Sequence, residues 1–292
     1  MPIAISFPSK IEAHADSAAL HLLSPRIPTD KETVELAGRL HMKGTVVDEG
    51  PLFSVRSEDA LLHHFHATDS IRWCRLPPRG EDHRSVALNI RDEAKLRSIA
   101  EEFLSELGLR DKEATTVAIS YGKHDSVDQK ESRPKSVISS AFVNFSYVFQ
   151  GLPVAGPGAK AQVEIGADGK VLSFYRFWRD TERGSATRRR EQRPIVSWAT
   201  AQKVFRLDPA FAQIGEKAEV VVERARLCYM AMPPRDVQRA LFPVYEVRGR
   251  VATPQIEKSH FRRYIVAMDY STDELKKYGI TNRQFRGSCR VL

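Results

Sequence analysis

Cysteine is scarce in this chain and its apolar runs are short. Cys74, Cys228 and Cys289 are odd in number and far apart, which excludes a disulfide framework and a four-cysteine zinc site. No apolar run approaches the roughly 18 residues that cross a bilayer as a helix. The opening Met1-Pro2-Ile3-Ala4-Ile5-Ser6 has neither the basic region nor the long apolar stretch of a secretory signal, so the chain reads as cytoplasmic. A chain trimmed of its leader would read the same and would then be extracytoplasmic. Catalytic signatures are missing too. The segment 151–158 has glycines and prolines but lacks the Lys-Ser/Thr of a phosphate loop and precedes no helix, so it reads as a turn. Ser120, Ser146 and Ser173 lack the Gly-x-Ser-x-Gly context of a hydrolase elbow. No cofactor is expected.

What is present is a globular composition: 292 residues, 42% hydrophobic and 28% charged. Lys plus Arg (45) exceeds Asp plus Glu (37) by eight. Half of that excess falls between Arg176 and Arg193, where seven arginines face three acids. Such a run reads as a solvated linker or as a footprint for an acidic surface.

The clearest helix is expected over Arg91 to Leu107. Leu96, Ile99, Ala100, Phe103, Leu104 and Leu107 make one apolar stripe, Asp92 and Glu93 suit its first turn, and Gly108 can end it. Strands follow at Thr115 to Tyr121 and Val137 to Phe149, then a hairpin of Lys160 to Ile165 and Val171 to Arg176 around Gly166-Ala-Asp-Gly169. A similar order appears after the basic run. Ser197 caps a helix over Trp198 to Phe205, and strands follow at Glu219 to Met230, Leu241 to Val251 and Tyr264 to Met268. Pro243 marks the start of the second of these as an edge or a bulge. Nearer the N-terminus, Thr29 and Glu32 have capping-box spacing for a helix from Asp30 to about Leu40, before short strands at Leu52 to Val55, Leu61 to His66 and Ile71 to Cys74. Residues 1–28 show little periodicity and read as irregular.

The expected fold class is therefore α+β: tandem units of one helix packed on an antiparallel β-sheet. The expected divisions are 1–80 (an α+β region, a degenerate repeat), 85–180 (first unit), 181–194 (basic linker), 195–270 (second unit) and 271–292 (tail). Cys289-Arg-Val-Leu292 has the outline of a prenylation motif, but Arg290 is not aliphatic and the tail reads as a plain end.

Three stretches resemble a known family. Ala94-Lys-Leu96 through Leu104, Phe149-Gln-Gly-Leu-Pro-Val154, and the Val163-Glu-Ile165 to Val171 hairpin are similar to PepSY-like (cystatin-like) domains, in particular the tandem PepSY-like modules of accessory regulators of bacterial sensor kinases. Phe242-Pro-Val-Tyr-Glu-Val247 fits the matching strand of a second copy. The resemblance implies a helix on an antiparallel sheet, and a regulatory role in binding protein partners rather than catalysis. It transfers no catalytic residue.

Two clusters stand out as candidate sites. Trp178, Arg179, Arg183, Arg188, Arg189 and Arg190 join an aromatic to the arginine run, the composition favoured at binding hot spots. His64 and His66 would share a strand face and could hold Zn or Cu, with Asp59 or Asp69 as a third ligand. The sequence thus reads as a non-enzymatic binding protein that contacts a protein or peptide partner through sheet faces and the basic loop. The alternatives are a nucleic-acid-associated protein using that loop, and an enzyme with its site in a cleft between units.

Overall fold

A computed structural model of the chain describes residues 4–12, 17–23, 27–76, 87–126, 135–179, 190–208, 211, 218–253, 259–268 and 271–278. Among the described residues, strands account for 51% and helices for 17%. The strands are β1 (Ala4–Ser6), β2 (Ser17–Leu22), β3 (Val46–Asp48), β4 (Leu52–Arg56), β5 (Ala60–Phe65), β6 (Ser70–Arg75), β7 (Ala114–Ser126), β8 (Lys135–Phe149), β9 (Leu152–Ala155), β10 (Lys160–Gly166), β11 (Val171–Phe177), β12 (Arg190–Pro194), β13 (Glu219–Met230), β14 (Ala240–Ala252) and β15 (Ser259–Val266). The helices are α1 (Asp30–Arg39), α2 (Glu93–Glu106), α3 (Trp198–Arg206) and the short α4 (Thr272–Lys277).

The helices form where stripe and cap coincide. Thr29 and Glu32 make a complete capping box on α1. Asp92 accepts from the N–H groups of Ala94 and Lys95 at the start of α2, and Ser197 accepts from Thr200 N–H at the start of α3. Each cap satisfies backbone donors that the first turn leaves unpaired.

The sheet overturns the expected α+β class and its tandem units. One mixed, 15-stranded sheet runs through the chain in the order β12-β2-β14-β13-β9-β8-β10-β11-β6-β5-β4-β3, with β1 on β13, β15 on β14 and β7 on β8. The cause is the turn-rich segment after β8. Its residues Leu152–Ala155 become β9, antiparallel to β8 on one edge and parallel to β13 on the other, through Val154–Tyr229 and Ala155–Met230. β1 also pairs β13 in parallel, at Glu219 to Val221. Two would-be separate sheets are therefore fused.

The stretches read as irregular or as linker also join the sheet. β2 lies between β12 and the start of β14, so residues 190–194 are a paired strand. Pro243 lies within the sheet rather than at an edge. It faces Tyr229 and falls where β14 exchanges β2 for β15, a point where one missing N–H costs little.

α1 and α2 cover one side of the sheet. Leu36, Ala37, Leu96, Ala100 and Leu104 bury against Val55, Leu62, Trp73, Val143, Val163 and Phe174. A buried leucine of this kind contributes about 1.5–3 kcal/mol. α3 covers the other half on the same side, followed through the register Tyr147–Val154–Tyr229, with Ala201 and Phe205 against Val222, Leu227, Val247 and Ile265. A third cluster (Leu20, Met230, Phe242, Tyr264) lies on the reverse side under β2.

The two halves meet where residues 155–159 cross the β13–β14 connection. Gly158 N–H donates to Ala231 O at 3.2 Å, and a Cβ added at Gly158 would lie 1.9 Å from the Met232 carbonyl oxygen. Only glycine permits that approach. Gly158→Ala is expected to cost about 1–3 kcal/mol by forcing the strands apart, read as a lowered denaturation midpoint; an unchanged midpoint would contradict the fit.

Candidate functional site

The histidine cluster does not converge. His64, inward-facing on β5, is buried with both ring nitrogens engaged: Nδ1 with Thr33 Oγ1 at 3.0 Å and Nε2 with Asp69 Oδ1 at 2.6 Å. Asp69, one of the anticipated third ligands, is thus delivered to His64 by a turn with φ of +54°. His66 lies beyond the end of β5, where its Nδ1 meets Gly50 O at 2.8 Å, and Asp59 is held by Ser57. Among the described residues no three His, Cys, Asp or Glu side chains are placed to hold a metal. The row Thr33–His64–Asp69 has the connectivity of a catalytic triad, yet the Thr33 hydroxyl is fully buried and donates to Thr29 O, so a substrate cannot reach it. Its role is to tie α1 to β5.

Trp178 and Arg179 also turn inward. The Trp178 ring is 1% exposed and stacks on Tyr147 at 4.2 Å with 12° between planes. Arg179 donates to the carbonyls of Met232 (2.8 Å), Pro233 (3.0 Å) and Asp236 (2.9 Å), so it clamps the two halves. Neither side chain presents a docking surface. Arg183, Arg188 and Arg189 lie outside the described residues, and of Arg190 only the backbone, in β12, is described. Cys228 is fully buried, and burial pushes its thiol up to about 12, which leaves no thiolate at neutral pH.

Two fields on the side of the sheet opposite the helices are open instead. The first spans β8, β10, β11, β6 and β5. Following the registers, Asn144, Gln162, Tyr175, Arg72 and His63 form one cross-strand row. Phe142 and Phe177 flank it, and all seven side chains remain partly or fully exposed. The field is ordered from within. Gln162 donates to Asn144 Oδ1 at 2.7 Å, Ser173 donates to Glu164 at 2.7 Å, and Tyr175 stacks on Phe177 at 4.8 Å. Lys160 Nζ lies 5.2 Å above the Tyr175 ring. Partial burial lowers the His63 pKa, which disfavours its protonated form.

The second field lies on β13, β14 and β15, opposite α3. Arg224, Arg248 and Arg262 form one cross-strand row, and Arg226, Glu246 and Tyr264 the next. Glu246, 1% exposed, accepts from Arg226 Nε at 2.6 Å and from Arg248 at 2.8 Å, with Arg262 Nε at 3.3 Å. Burial alone would raise its pKa, but the Arg248 hydrogen bond and the Arg226 charge outweigh that and hold it below the ordinary value. The sequence did carry a signal for this field: Arg224-x-Arg226 and Arg248-x-Arg250 repeat with the period of a strand face.

Among the described residues no helix is long and apolar enough to cross a membrane. No protein-family model and no curated protein matches the chain. Among solved structures, an uncharacterized protein from Eubacterium rectale ATCC 33656 is similar, with a TM-score of 0.52 and 10% identity over 91% of this chain and 90% of that one. At that identity the likeness speaks to fold alone, and because it spans nearly all of both chains, it concerns both halves of the fused sheet together.

Proposed function

We propose that this is a non-enzymatic binding protein whose first open field docks a protein or peptide partner. The observation that carries this reading is the five-strand row Asn144–Gln162–Tyr175–Arg72–His63 with its flanking phenylalanines, half-exposed, with Gln162 hydrogen-bonded to Asn144 and Tyr175 stacked on Phe177. Aromatic and arginine side chains are enriched at interface centres, and a ring already held in place, as Tyr175 is on Phe177, loses little entropy on docking. The PepSY-like character of residues 90–180 belongs to the same proposal, in its partner-binding sense.

The test compares affinity capture from the native source by the unaltered chain and by a Tyr175→Glu, Phe142→Glu double variant, with the fold of each checked by circular dichroism. A protein retained by the first and lost with the second is the expected result. Retention of the same proteins by both, or of nothing by either, would overturn the reading.

A further inference from the structure

The geometry points to the arginine field of β13, β14 and β15 as a second docking surface, one that takes an extended acidic segment of a partner protein. This goes beyond the reading above and does not depend on it, because the two fields share no residue.

Among the described residues, the guanidiniums of Arg224, Arg226, Arg248 and Arg250 pair with three carboxylates (Glu12, Glu223, Glu246), and Arg262 lies against the same Glu246, so positive groups outnumber the acids they face. The side chains of Arg224, Arg248, Arg250 and Arg262 are 36–50% exposed, so donors remain reachable. They are also held in place. Glu246 is too buried to meet a partner itself, and it fixes Arg226, Arg248 and Arg262 as a group around one carboxylate. An incoming anion therefore meets forks whose rotamers are already selected.

Spacing and precedent favour an extended polypeptide. Alternate residues on a strand lie about 6.8 Å apart, so acids at every second position of an extended segment match Arg224/Arg226 or Arg248/Arg250 in step. The chain already lays one such segment here. Glu12 bridges in parallel to Arg226, its N–H donates to Ala225 O at 2.9 Å, and its carboxylate accepts from Arg224 Nε at 2.7 Å.

Nucleic acid fits less well. Tyr264, the ring in the Glu246 row, is buried and offers no platform for a base. Glu223 and Glu12 also interrupt the track that a continuous phosphate backbone would follow.

The experiment uses the full chain and fluorescence anisotropy with three probes: a labelled peptide of alternating Glu and Thr, its Gln-for-Glu counterpart, and a labelled oligothymidylate of equal length. The acidic peptide is expected to bind, to weaken steeply as salt is raised, and to bind about tenfold more weakly to an Arg248→Glu, Arg262→Glu variant. Equal binding of the Gln peptide, tighter binding of the oligonucleotide, or no acidic-peptide binding to the unaltered chain would overturn the inference. If the charge-reversed variant fails to fold, the comparison of peptides and the salt series on the unaltered chain still decide it.

Discussion

Replacing Asp111 by Ala is expected to destabilise the protein by about 3–5 kcal/mol, the range for stripping the partner from a buried charge. Arg176 projects from β11 into the interior, 6% exposed, and its guanidinium forks onto Asp111 with Nε at 2.9 Å from Oδ2 and a terminal nitrogen at 2.5 Å from Oδ1. The Tyr147 hydroxyl donates to the same carboxylate at 2.7 Å, and its phenol is driven well above its ordinary value by burial and then by the Asp111 charge. Burial works against the charge on Arg176, but Asp111 outweighs it and raises its hold on the proton. Without Asp111 a positive charge remains in the core with only a long contact to Asp69 O, at 3.4 Å. Urea denaturation reads the effect as a lowered midpoint at unchanged slope. A second substitution, Arg176→Met, is expected to restore part of the loss, since replacing both partners removes the uncompensated charge. A loss for Asp111→Ala below about 1 kcal/mol would mean water reaches the site and the pair is not a core element.

Arg179→Met is the second large effect, roughly 2–4 kcal/mol, because it removes the guanidinium that donates to the carbonyls of Met232, Pro233 and Asp236 and links the two halves. Burial disfavours the charge on Arg179 and lowers its pKa, and the three carbonyls it donates to hold the guanidinium in its protonated form. A denaturation midpoint for Arg179→Met equal to that of the unaltered protein would contradict the clamp.

The helices were legible because their signals are local: the Thr29/Glu32 box, Asp92 before the Leu96–Leu104 stripe, and Ser197 before Trp198. Most strands were legible for the same reason, and Glu219–Met230 matches its expected bounds. The fusion of the sheet was not. It rests on two residue pairs of β9 with β13, some 75 positions apart, and nothing in Leu152–Ala155 distinguishes a turn from a strand awaiting a distant partner. β2 was missed because Leu20 and His21 are both buried, which erases the alternation expected of a half-covered strand. Trp178 and Arg179 were read as part of a contact patch because an aromatic beside an arginine run is the composition of binding hot spots. What draws Arg179 inward is a cluster of carbonyls at Met232, Pro233 and Asp236, an acceptor group assembled only by the fold. For the binding fields, the arginine repeat was written in the sequence, whereas the Asn144-to-His63 row exists only through pairings among five strands.

The placement of β1 and β2 dictates an order of assembly on the ribosome. Both are made well before their partners β13, β14 and β12, which lie roughly 170–220 positions downstream. Residues 30–178 hold most of the first interior cluster and can begin to bury it as they emerge, while β1 and β2 wait unpaired until residues 190–252 have been made. At typical elongation rates that wait lasts on the order of ten seconds or more, during which an unpaired β2 is open to the wrong neighbour and to nascent-chain chaperones.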